Sequence, residues 1–220
     1  MKKFLRGFNV VLVITIMVAC TAGKTTVTGS WTRLDHEPEQ FKKIVILGIG
    51  HDSHNRRVFE DEVETRLVAK GYPVIAALDL LPPNAAIGTI TRDIVNEIFI
   101  SAGVDAVFTM SMRHTEDTRR YVPGRGTYYT PYYSTMGFYD YYGGFSNYYY
   151  SPGYYTGSFQ VYLEANLFDF KDNELLWSAQ TKTSDVQAIG TMAIQFADVI
   201  VADFISHNVV PAPVVPDKKK

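Results

Sequence analysis

The sequence predicts a single α/β domain of the α+β kind. It is a mixed sheet of about five strands in the order βαβαβ–insert–ββα, with helices packed on it. Three observations predict it. Residues 44–49, Ile-Val-Ile-Leu-Gly-Ile, form a continuous apolar run ahead of a helical stretch and a second short apolar run, the layout of a βαβ unit. Residues 159–167 alternate apolar and polar without a break, the period of a half-buried antiparallel strand. Between these halves lies a stretch, 121–157, whose composition is unlike either.

Taken in order, the run 44–49 is bounded by Gly50 and reads as a strand buried on both faces. Asp52, Ser53 and Asn55 are good caps, so a helix is expected over 53–70. Phe59, Val63 and Leu67 would face inward, and Glu62 and Arg66 would form an exposed i,i+4 pair. Gly71 ends that helix as a C′ glycine, and 73–78 is a second, short strand. After the Leu81-Pro82-Pro83-Asn84 loop a helix is expected over 91–101, with Ile94, Val95 and Ile98 inward and Gly103 past its end. Residues 105–112 are a third strand with Ala106, Phe108, Met110 and Met112 on one face.

Beyond the insert, Phe159, Val161, Leu163, Ala165 and Leu167 face the core, and Gln160, Tyr162, Glu164 and Asn166 face away. Lys171-Asp172-Asn173 turns the chain, and 174–183 returns with Leu175, Trp177 and Ala179 on one face, completing a hairpin. A last helix, 184–206, covers the sheet with Met192, Phe196, Val199, Ile200 and Phe204. The tail, 209–220, is proline-rich and extended, and ends in three lysines.

The N-terminus carries an address. Lys2, Lys3 and Arg6 precede an apolar run, 10–18, too short for a bilayer core of ~30 Å. Met17-Val18-Ala19-Cys20 then ends it with small residues and the chain's only cysteine. That ending resembles the lipobox of bacterial lipoproteins. The resemblance implies that 1–19 is removed as a signal peptide and that the Cys20 thiol is lipidated. One acyl chain binds a membrane only marginally, whereas a triacylated cysteine exceeds the two signals needed for stable anchoring. Thr21, in place of an aspartate, implies the outer membrane, facing the periplasm.

Residues 20–40 read as a polar tether, with Trp31 docking on the domain, and the domain itself as 41–208. No stretch after Cys20 reads as long enough for a transmembrane helix. Loss of Lys2, Lys3 and Arg6 moves the balance from 21 basic against 23 acidic side chains to 18 against 23. A net −5 argues against a nucleic-acid partner.

Four segments bring a family into view: Phe41-Lys42-Lys43-Ile44-Val45-Ile46-Leu47-Gly48, Arg56-Arg57-Val58-Phe59-Glu60-Asp61, Ala102-Gly103-Val104-Asp105-Ala106-Val107, and Leu175-Leu176-Trp177-Ser178-Ala179. Together they resemble bacterial outer-membrane lipoproteins whose architecture is similar to that of the penicillin-binding-protein activator and curli-secretion lipoproteins. The resemblance spans roughly residues 30–207 outside the insert. It implies a non-catalytic protein that binds or helps assemble an envelope partner, a protein or peptidoglycan, with no cofactor. It leaves the oligomeric state open.

Gly48-Ile49-Gly50-His51-Asp52-Ser53 sits where a dinucleotide fingerprint would, with Asp79 at the ribose position, but Ser53 stands where the third glycine is needed. A tight turn with a capped helix is the expected reading. His51 and His54 follow the first strand and His114 the third. If those strands are parallel, all three meet at one sheet edge, which is the alternative reading of a metal-binding protein or metalloenzyme. No Gly-x-Ser-x-Gly elbow is present. Asp169, Asp172 and Glu174 crowd a turn and read as solvated carboxylates.

The insert 121–157 holds thirteen of the fifteen tyrosines, seven glycines and no Leu, Ile or Lys. Tyrosine offers broad contact at low entropic cost and glycine offers adaptability. The partner-binding set is therefore Tyr128, Tyr129, Tyr132, Tyr133, Tyr139, Tyr141, Tyr142, Tyr148, Tyr149, Tyr150, Tyr154 and Tyr155. A membrane hairpin turning at Gly143-Gly144 is opposed by Pro152 and by the missing aliphatic residues. A low-complexity loop without fixed function is the other reading.

Overall fold

The computed structural model describes residues 24–35, 37–81, 91–117, 137, 139, 159–184 and 188–211. The signal, Cys20 and residues 212–220 of the tail lie outside them, as does the insert apart from Gly137 and Tyr139. The elements are β1 (Thr25–Thr32), β2 (Ile44–Ile49), α1 (Ser53–Ala69), β3 (Val74–Ala76) with a 3₁₀ turn Ala77–Asp79, α2 (Arg92–Ser101), β4 (Ala106–Asp117), β5 (Phe159–Asp169), β6 (Glu174–Ser184) and α3 (Ile189–Ser206). Among the described residues six strands form one sheet in the order β1-β6-β5-β4-β2-β3. β2 is parallel to β3 and β4, and the other pairs are antiparallel. The mixed α+β sheet is as the sequence predicts.

The sheet is covered on both faces, which is why every residue of β2 is buried. On one face α1 and α3 bring Val63, Leu67, Phe196, Ile200 and Phe204 onto Ile44, Ile46, Phe108, Leu167 and Trp177. Phe108, Trp177 and Phe204 pack as a triad with centroids 5.4–5.7 Å apart. The Trp177 indole N–H, buried with its ring, donates to Asp203 Oδ2 at 3.2 Å, the polar handle a buried tryptophan requires. On the other face α2 sets Val95 and Phe99 on Val45, Leu47, Val107 and Phe168. Caps fall where the sequence places them. Asp52 accepts from Asn55 N at 3.0 Å, and Gly71 and Gly103 take positive φ after α1 and α2.

Several expectations are corrected. Part of the tether expected over 20–40 is not a tether: Thr25–Thr32 is an edge strand antiparallel to β6. Its uncharged, threonine-rich sequence has no core periodicity, and it is held by cross-strand pairing. Thr25 Oγ1 lies 2.8 Å from Thr183 Oγ1, and Trp31 packs on the α2-side core as expected. β3 is shorter than 73–78, and Ala77–Asp79 turns instead. β4 runs on to Asp117 because its pairing with β5 continues, and Met112 is 42% exposed.

In α2 Val95 and Phe99 are buried and Ile98 packs against the same core as expected. Ile94 is 45% exposed, because the bulkier Phe99 takes the core position against Phe170. In β6 a register shift opposite Leu167/Phe168 puts Leu176 and Trp177 on one face and Leu175 on the other. α3 begins at Ile189, since β6 occupies 174–184. By length and composition α3 could cross a membrane. Its inner face is spent on the core, however, and its Asp198 and Asp203 bind Arg66 and Trp177.

Candidate functional site

The α2 side of the sheet changes character along its length. Near α2 it is apolar, with Val107, Phe168 and Leu175. Further along β4, β5 and β6 the same face becomes polar in successive cross-strand rows. They are Thr109–Asn166–Ser178, Ser111–Glu164–Gln180, His114–Tyr162–Lys182 and Glu116–Gln160–Ser184. A bulge between Met112 and His114 puts the consecutive Arg113 and His114 on this one face, where strict alternation would separate them.

Thr109, Ser111, Glu164, Asn166 and Ser178 are buried. Glu164 Oε1 accepts from Asn166 Nδ2 at 3.1 Å, and its Oε2 lies 3.6 Å from Arg113 Nε. Glu164 and Asn166, read from the sequence as facing solvent, are thus buried and bonded to each other. In the outer rows His114 stacks on Tyr162 at 4.2 Å and 10°, while Lys182 Nζ lies 5.8 Å from the same ring. The Tyr162 hydroxyl is 3.2 Å from Glu116 Oε2 and 3.3 Å from Gln160 Oε1, so it donates to one or the other. Burial, then the Glu116 carboxylate, push that hydroxyl above its ordinary pKa. The result is a broad ladder of donors, acceptors and one aromatic stack.

The insert connects β4 to β5. Asp117 and Phe159 are the last paired residues of β4 and β5, so the two strands it joins end side by side. Tyr139, placed with the partner-binding set, is in fact half-buried. Its hydroxyl donates to Asn96 of α2, its N–H donates to Asn173 Oδ1 at 3.4 Å, and its ring lies 6.1 Å from Phe170. That is the opposite end of the sheet from Asp117 and Phe159, so Tyr139 is a packing anchor. The other eleven tyrosines of the set lie outside the described residues.

The carboxyl end of β2 is the second place where chemistry was expected. Strands β2 and β4 are parallel, as the metal reading requires. Yet His51, His54 and His114 do not come together. Among the described residues no group of three His, Cys, Asp or Glu side chains is placed to hold a metal ion. His51 and His54 are exposed in the turn and first residues of α1, and His114 is taken up by Tyr162 and by Glu116 at 3.5 Å.

The Gly-x-Gly turn serves Glu60 instead of a phosphate. Glu60 is 0% exposed. Its Oε1 accepts from Gly48 N at 2.8 Å and its Oε2 from Leu78 N at 3.0 Å, with Arg56 Nη2 3.6 Å away. Desolvation raises its pKa to about 7 against the two N–H donors and Arg56, which lower it. A Cβ on Gly48 would meet Glu60 Oε1 at 3.2 Å and Arg56 Cβ at 3.4 Å, so the glycine is there to let the helix carboxylate reach the strand. Asp79, at the would-be ribose position, is paired with Arg57 at 2.6 Å. Nothing in the sequence singled out Glu60. Its signal is a carboxylate one turn before Val63 and Glu64 on a helix that follows a glycine-broken apolar strand.

No protein-family model matches the chain, and no curated protein does. Among solved structures it is similar to the PelC dodecamer from Paraburkholderia phytofirmans, at 13% identity and a TM-score of 0.42, covering 87% of this chain and 100% of that one. It is similar to lipoprotein GNA1162 from Neisseria meningitidis, at 14% identity and a TM-score of 0.36, covering 74% and 98%. A PDZ domain protein from Parabacteroides distasonis is similar at 13% identity and a TM-score of 0.42, covering 95% of this chain and 40% of that one. Likenesses of this size do not assign the chain to a family.

Proposed function

We propose that this chain is a lipid-anchored protein of the outer membrane, facing the periplasm, that acts by binding rather than by catalysis. Its partner is another envelope protein or peptidoglycan, and segment 121–157 captures it. The observation that carries this reading is the base of that segment. The centre of the sheet stays paired to Asp117 and Phe159, so a long tyrosine-rich connection is clamped at both ends by rigid strands. Long connections inside compact domains are uncommon and most often functional, and function gathers on loops held by a rigid scaffold. The buried carboxylates support binding over catalysis, since Glu60 is engaged by two backbone N–H donors and Arg56, and Glu164 by the Asn166 amide and Arg113.

The test replaces 121–157 by a short glycine-serine turn joining β4 to β5. The shortened protein keeps its circular dichroism, although the anchoring contacts of Tyr139 are lost. In intact cells, crosslinking of the full chain captures a protein, or the full chain sediments with purified peptidoglycan, and the shortened one does neither. Equal capture by both forms would sink the claim that the insert binds.

A further inference from the structure

The anchor and the sheet together define an orientation. Lys24 is already fixed to the domain, because its carbonyl accepts from Ser184 N at 3.1 Å. Thr25 follows as the first residue of β1, with its hydroxyl on Thr183 and Gln195. Only Thr21, Ala22 and Gly23 separate Cys20 from Lys24. Four steps of extended chain reach at most about 14 Å. β1 itself is about 26 Å long, so a lipidated Cys20 reaches the bilayer only if the beginning of β1 stays near it.

The pairing registers then say what else lies there. Thr25 pairs with Thr183, Thr183 with Val161, and Val161 with Thr115. This single row crosses four strands. The start of β1, the end of β6, the start of β5 and the end of β4 therefore share one end of the sheet. Lys24, Lys182, His114 and Glu116 belong to it, and the attachment points of the tyrosine-rich segment, Asp117 and Phe159, are its last pair. Tyrosine is enriched where membrane meets water. The opposite end carries the Lys171–Asn173 turn, Leu34 and the docked Tyr139.

We propose that the end of the sheet made by the beginnings of β1 and β5 and the ends of β4 and β6 faces a phospholipid bilayer, with the hairpin turn pointing away from it. This deepens the reading above and rests on lipidation of Cys20. The binding segment would then join the domain on its membrane side.

The test uses the full, processed protein in vesicles of phosphatidylethanolamine and phosphatidylglycerol carrying a headgroup spin label. With Cys20 lipidated, Thr26→Cys or Leu34→Cys supplies the only free thiol for a fluorophore. Both residues are exposed, and they lie about 25 Å apart, one near the start of β1 and the other just past its end. The expected result is strong quenching at position 26 and little at 34. Equal quenching in protein that floats with the vesicles means a domain lying along its β1 edge, and overturns the orientation while leaving the anchor intact. Stronger quenching at 34 overturns it likewise. Protein that does not float and shows no acyl mass overturns the anchor, and the orientation with it.

Discussion

At the scale of single residues, the most consequential group is one that does not advertise itself. Glu60 is a carboxylate with no access to water, held by Gly48 and Leu78 N–H groups and Arg56. Its pKa of about 7 lies above its ordinary value of 4.5, so between those values the folded chain holds a proton that the unfolded chain has lost. Stability contributed through Glu60 is therefore full below pH 4.5 and declines as pH rises toward 7. Glu60→Gln removes that decline, and it also faces one N–H donor with an amide NH₂. It should cost about 1–3 kcal/mol at pH 5 and flatten the pH dependence. Urea midpoints from pH 4.5 to 8 check both. A midpoint profile unchanged in shape contradicts the assignment. The two glycines of the turn separate packing from conformation. Gly48→Ala presses a methyl on the Glu60 carboxylate at 3.2 Å and should cost about 1–3 kcal/mol. Gly50→Ala, whose nearest neighbour is 3.8 Å away, should stay within about 0.5 kcal/mol.

At the scale of elements, β1 decides where the domain begins. A chain starting at residue 41 lacks the edge strand, the Thr25–Thr183 pair and Trp31, and bares the β6 edge. Compared with 21–220 it should lose more than about 2 kcal/mol by urea titration and aggregate through that edge. Equal stability would mean that β1 is an ornament. The legible elements were those whose burial is written in periodicity: the all-apolar β2, the Asp52-capped α1 and the alternating β5. β1 was not legible, because Thr-Thr-Val-Thr-Gly-Ser-Trp-Thr is stabilised by its neighbour and not by a pattern of its own. Two of the register shifts were not legible either. One extra residue moves His114 beside Arg113, and another moves Leu175 away from Trp177. Glu164 and Asn166 looked solvent-facing because their burial depends on what covers the sheet, which a strand's own alternation does not encode. Of the candidate site, the insert was visible from composition, whereas the polar ladder across β4, β5 and β6 required the register.

At the scale of the whole molecule, the sheet has an apolar side closed by α1 and α3 and a second side that grades from apolar under α2 to polar toward the strand ends. The three histidines that suggested metal are scattered by this plan, two in an exposed turn and one in a stack. Elemental analysis of tag-free protein should accordingly find no stoichiometric zinc or copper, and metal lost on changing His51, His54 and His114 to alanine would reopen that reading. Everything proposed about location and orientation hangs on Cys20, with three residues between it and the first fixed point of the fold. The most direct measurement is the intact mass and N-terminal peptide of the protein extracted from membranes of the producing bacterium. The account predicts a chain that begins at Cys20 and carries acyl groups on it. A chain that begins elsewhere, or a free thiol at Cys20, would contradict it.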